Sequence, residues 1–118
     1  MKRLLLPFLA IPSLCLATAP PNCASWPTNM AIVYMKNLKI TDPTRLDESR
    51  TKAVLLAAMP KGKGVFHEVY DITFVEHSGK QIEVITANDA SLQECSWGGV
   101  TMYLVSRKVD DDTGSQTE

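Results

Sequence analysis

The sequence predicts an α+β domain in which one N-terminal helix packs on a four-stranded antiparallel meander, closed by one disulfide. Three observations lead there. Residues Val65 to Ala87, VFHEVYDITFVEHSGKQIEVITA, alternate apolar and polar side chains around a Ser-Gly turn, which is the period of a β-hairpin. Residues Ser25 to Lys39 instead carry apolar side chains at helical spacing. Finally, Cys23 and Cys95 flank the predicted helix and hairpin at either end.

The chain has 118 residues, the length of one domain, and its first residues shorten it further. Met1-Lys2-Arg3 makes a positive n-region, Leu4 to Leu16 an apolar h-region, and Ala17 a small residue at its end. This is the pattern of a secretory signal peptide over residues 1–17, with cleavage after residue 19 as the alternative. Pro20 and Pro21 directly after Ala19 disfavour the later position. The apolar run is short and interrupted by Pro7 and Pro12, so it makes a poor membrane span. A lipid anchor on Cys15 would want a small residue before the cysteine, where Leu14 stands. The mature chain is expected to be periplasmic or secreted, with no stable membrane anchor.

Signal removal takes Cys15 and leaves an even pair of cysteines in an oxidising compartment, most simply a Cys23–Cys95 disulfide. It would close a loop of 73 residues counting both ends, a constraint of roughly 4 kcal/mol on the chain-entropy model. Neither cysteine has a histidine or second cysteine at metal-binding spacing. Loss of Lys2 and Arg3 leaves 10 basic against 13 acidic residues, a net charge of −3. No clustered basic face suggests nucleic acid as a partner.

Residues 18–24, TAPPNCA, read as a flexible leader to a domain spanning 25–108. In the helix from Ser25 to Lys39, Ser25 or Thr28 can cap and Pro27 suits the first turn. Met30, Ala31, Val33, Tyr34, Met35 and Leu38 form the stripe expected to cover Phe66, Tyr70, Ile72 and Phe74. Asp42-Pro43-Thr44 marks a turn with Asp42 as its cap. Residues 48–59 are ambiguous. Val54, Leu55 and Leu56 lie among helix-favouring alanines, yet the run is short and a four-stranded sheet needs a first strand, so we read a strand from Thr51 to Met59, with helix as the alternative. Pro60 to Gly64 would be a flexible basic connection; it lacks the spacing and the Ser or Thr of a phosphate loop.

Turn length decides the register of the central hairpin. A two-residue loop would put Phe74 opposite Glu83 and send the two apolar sets to opposite faces. A three-residue loop of His77, Ser78 and Gly79, with Gly79 left-handed, pairs Glu76 with Lys80 and sets Phe74 against Ile82, Ile72 against Val84 and Tyr70 against Thr86. The opposite face then mixes Thr73, Glu83, Asp71 and Gln81 with Val69, Val75 and Ile85. Asn88-Asp89 marks a turn after it, and Ser91-Leu92-Gln93-Glu94 has the capping-box form of a helical turn. The last strand is expected from Val100 to Arg107, and residues 109–118 form an acidic, solvated tail.

Candidate functional residues are few. Trp97, flanked by Ser96 and Gly98, is a large aromatic on a loop pinned at Cys95, the kind of side chain that anchors an interface. His67 and Asp71 stand about 13 Å apart along a strand, too far to hydrogen-bond, and His77 lies in the turn, so a metal site built on His67 and His77 has no supporting spacing. The nucleophile motif G-x-S-x-G is absent. No cofactor or metal is implied. The expected function is non-enzymatic: a small exported protein that docks another envelope protein, as an inhibitor or immunity protein for an envelope-directed enzyme. The alternatives are a structural or assembly subunit that offers a sheet edge, or a small hydrolase or metal-dependent enzyme using His67.

Overall fold

A computed structural model describes residues 19–105. The expected signal peptide and the expected acidic tail lie outside these residues, as does Arg107 at the expected end of the last strand. Helix α1 (Ser25–Asn37) is followed by two short 3-10 turns, Pro43–Arg45 and Glu48–Arg50. Strands β1 (Lys52–Gly62), β2 (Val65–Val75), β3 (Gln81–Ser91) and β4 (Trp97–Val105) then complete the domain. The strands form one antiparallel sheet in the order β1-β2-β3-β4, and Cys23 is joined to Cys95 with the Cα atoms 5.3 Å apart.

The central hairpin has the expected register. Phe74 faces Ile82, Ile72 faces Val84 and Tyr70 faces Thr86. Gly79 has φ 93°, and the Glu76 N–H donates to the Lys80 carbonyl at 2.8 Å. The pairing runs on past Ala87, however, so Asn88 and Asp89 sit inside β3 opposite Glu68 and His67 and do not form the expected turn. The capping-box contact does form, with the Glu94 N–H donating to Ser91 Oγ at 3.0 Å, but it closes a bent loop with no helix.

Residues 52–62 are strand, and β1 continues through Pro60, Lys61 and Gly62, which we expected to be flexible connection. Lys63 (φ 56°) and Gly64 (φ 73°) alone make the turn into β2. Two successive positive φ values match the twist of a two-residue hairpin. The last strand begins at Trp97, three residues earlier than expected, because Trp97 pairs with Asp89 across a bulge opposite Asn88.

Helix α1 packs against β3 and β4. Its buried residues are Pro27, Ala31 and Met35, spaced four apart on one face. Val33 and Leu38, which we placed in the stripe, are 47% and 65% exposed. The helix also starts without a side-chain cap: Ala24 is the N-cap residue, and Thr28 Oγ1 donates to the Ala24 carbonyl at 2.7 Å. At the other end Lys39 is left-handed with φ 58°. Its N–H donates to the Lys36 carbonyl and the Ile40 N–H to the Met35 carbonyl, the pair of bonds that define a Schellman stop. Ile40 thereby turns inward onto the core of Ala31, Met35, Leu46, Tyr70, Ile72, Phe74, Ile82 and Val84. Tyr34 Oη donates to the Val100 carbonyl at 3.0 Å and ties the helix flank to β4.

Candidate functional site

The sheet has two faces of different character. On the helix side the side chains of β2 and β3, from Phe66 to Phe74 and from Ile82 to Ala90 at every second position, are buried. The opposite face carries the alternate positions and is only half-buried. With α1 on the other side, this face has no second layer among the described residues.

Register arranges the open face into rows that cross the strands. One row is Met59, His67, Asp89 and Trp97; the next is Ala57, Val69, Ala87 and Thr101; a third is Val54, Asp71, Ile85 and Tyr103. The outer members are the exposed ones: Met59 53%, Trp97 51% and Tyr103 61%. The face is therefore apolar and aromatic along both rims, with acidic and imidazole groups along its middle.

In the first row His67 Nδ1 lies 2.7 Å from Asp89 Oδ1, and Lys61 Nζ donates to Asp89 Oδ2 at 2.6 Å. These two partners, Lys61 first, hold the Asp89 carboxyl below the usual carboxylate range. An ionised carboxylate only accepts, so Nδ1 carries the proton and Nε2 is left for another partner. A histidine oriented by an aspartate is half of a general-base arrangement. The other half would be a nucleophile, and the nearby hydroxyl, Ser91 Oγ, is already engaged by the Glu94 N–H and by Trp97 Nε1 at 3.2 Å. In the third row Asp71 Oδ1 is buried without a hydrogen-bond partner, between Val54 and Ile85.

Of the residues singled out from sequence, Trp97 joins this face. Ser96 and Gly98 shape the loop beside it: Ser96 Oγ donates to Glu94 Oε1 at 2.5 Å, and Gly98 has φ 75°. His67 and His77 stand at opposite ends of β2, roughly 33 Å apart on the rise of an extended strand. His77 lines instead a groove of about 430 Å³ with Thr44, Arg45, Glu76 and Ser78. Lys61 and Asp89 escaped the sequence reading, although the hairpin register, continued two residues past Ala87, sets Asp89 opposite His67. No helix among the described residues is long and apolar enough to cross a membrane.

Fold and site together define a disulfide-stapled helix-on-sheet domain with one open sheet face. Comparison of the chain with protein-family models, with curated proteins and with solved structures finds no match.

Proposed function

We propose that this chain is a small exported binding protein that docks another envelope protein through the open face of its sheet, acting as an inhibitor or immunity protein toward an envelope-directed enzyme. The observation that carries this reading is the exposure of Met59, Trp97 and Tyr103 along the rims of that face. Large aromatic side chains on a rigid sheet lose little freedom on contact, and they are common interface anchors.

Area decides how the partner sits. Four strands about 4.8 Å apart and about nine residues long make a face of roughly 600 Å². A standard interface covers about 800 Å² per partner, so the partner also reaches the loop between Ser91 and Trp97. Addition of a partner strand to the β1 edge is the weaker reading. That edge carries Lys52, a bulge between Leu55 and Ala57, Pro60 and Lys61, the devices that blunt an edge against pairing.

The test is capture from envelope extract with the oxidised protein, followed by affinity measurement against the identified enzyme. Trp97→Ala is expected to weaken binding by at least tenfold while folding is retained. Unchanged affinity would sink the docking reading. A hydrolytic activity lost in His67→Ala would replace it with the catalytic one.

A further inference from the structure

The helix side of the sheet holds a buried polar cluster of a different kind. Glu68 is 0% exposed, Thr86 0% and Asn88 3%. Glu68 and Asn88 are direct cross-strand partners, with Thr86 two residues before Asn88 on β3. Both Glu68 carboxyl oxygens, Thr86 Oγ1 and Asn88 Oδ1 lack any hydrogen-bond partner. The Thr86 hydroxyl can donate one proton, too few for two carboxylate oxygens and an amide oxygen gathered in a low-dielectric site, and an ionised carboxylate poorly paired there costs several kcal/mol.

Among the described residues no charge compensates it. Facing Glu68 are Ala58 from β1 and Asn88 from β3, with Tyr70 beside it on β2 and the uncharged segment around Cys23 next to the Tyr70 hydroxyl. Tyr70 is the only titratable group among these neighbours. Burial pushes the Glu68 carboxyl up, partly offset by Tyr70.

A single proton removes the conflict. A protonated Glu68 becomes a donor, and Asn88 Oδ1 lies directly across the strand pair, where opposed Cβ atoms are about 5 Å apart. The other end of the same amide reaches out of the cluster: Asn88 Nδ2 donates to the Asp89 carbonyl at 3.3 Å and to the Cys95 carbonyl at 3.5 Å. Asn88 thus links the buried acid to the loop that ends in Trp97.

We propose that Glu68 is a neutral carboxylic acid in the folded protein, that it donates its proton to Asn88 Oδ1, and that losing this proton turns the Asn88 amide and loosens the Cys95–Trp97 loop. When the proton leaves to water, the Tyr70 and Thr86 hydroxyls can offer the carboxylate one donor each, and the Asn88 NH₂ adds another only if the amide turns. That turn presents an oxygen to the Cys95 and Asp89 carbonyls, so both weak bonds are lost. The loop is then held by the disulfide and by Ser91. The consequence for partner capture rests on the docking reading above; the device itself is read without a partner.

The experiment is a pH titration of the unbound protein with two readouts. Infrared spectra of the unmutated protein at pH 6, set against Glu68→Gln, are expected to show the carbonyl stretch of one protonated carboxylic acid that the variant lacks. In a Trp26→Phe background, Trp97 emission is expected to shift as pH rises above the ordinary glutamate value of 4.5, and Glu68→Gln is expected to abolish that step. An ionised Glu68 at pH 6, or an emission profile that Glu68→Gln leaves unchanged, overturns the proposal. Should the variant fail to fold, the absence of any protonated-carboxyl band in the unmutated protein overturns it equally. Loss of the switch leaves the docking reading intact, because Trp97→Ala tests that separately.

Discussion

His67 and Asp89, 22 residues apart in sequence, meet at 2.7 Å across β2 and β3, and Lys61 closes on the same carboxylate from β1. Three strands are thereby joined at one point of the open face. The side chains are 51%, 36% and 26% exposed for Lys61, His67 and Asp89, so solvent screens the pairs and each is worth less than about 1 kcal/mol. Asp89→Asn is expected to lower stability by about that amount in urea unfolding, and the difference should shrink in high salt.

The pH dependence of stability has two limbs of opposite sign. Asp42, Asp47 and Asp89 titrate below their ordinary value of 3.8, chiefly through hydrogen bonds from Thr44, Ser49 and Lys61 respectively. The folded state holds these groups ionised, so their stabilisation is present above pH 3.8 and is lost as pH falls through the lowered values. Glu68 is raised above 4.5 by burial. The folded state then binds the extra proton, so its contribution is full below pH 4.5 and is lost as pH rises toward the folded value. Thermal unfolding is expected to show a maximum near pH 4 to 4.5, and Glu68→Gln should raise the melting temperature at neutral pH and flatten the descending limb. A descending limb unaffected by Glu68→Gln would contradict this assignment.

Met35 is 0% exposed and stands in the core beneath the helix with Ile72, Phe74 and Val84. Met35→Ala removes its packing and leaves a void, so a loss of about 2–5 kcal/mol is expected in denaturant unfolding. Val33→Ala, two residues before Met35 on the outer side of the helix and 47% exposed, should change stability by less than about 0.5 kcal/mol.

Lys39 adopts a left-handed backbone, φ 58°, to end the helix. A side chain there is strained by roughly 1 kcal/mol relative to glycine. Lys39→Gly is therefore expected to be neutral to stabilising by up to about 1 kcal/mol, with the cap hydrogen bonds of Lys39 and Ile40 retained in amide exchange.

Local rules account for what could be read along the chain. Alternation of period two and the need of Gly79 for positive φ were enough to set the hairpin register, since a slip of one residue would turn every apolar side chain to the wrong face. Cysteine parity was enough for the Cys23–Cys95 bond. Residues 48–59 were open to two readings because Ala57 and Ala58 favour helix while the sheet needs a first strand, and pairing of Lys52–Gly62 with β2 decided it. The buried stripe of α1 was likewise non-local: Leu38 and Val33 are as apolar as Met35, but the helix rests on β3 and β4, and Pro27, Ala31 and Met35 are the residues buried there. Glu68 falls by alternation on the face the helix was expected to cover, but a glutamate among Phe66 and Tyr70 gives no sign of being sealed there, and Asn88 was expected in a turn. The amino-acid sequence alone thus determined the hairpin, its turn and the disulfide, each set by neighbours in the chain or by simple pairing. The tertiary structure alone decided which carboxylate meets His67, which acid is sealed from water and which helix residues are buried, because those depend on the packing of elements distant in sequence.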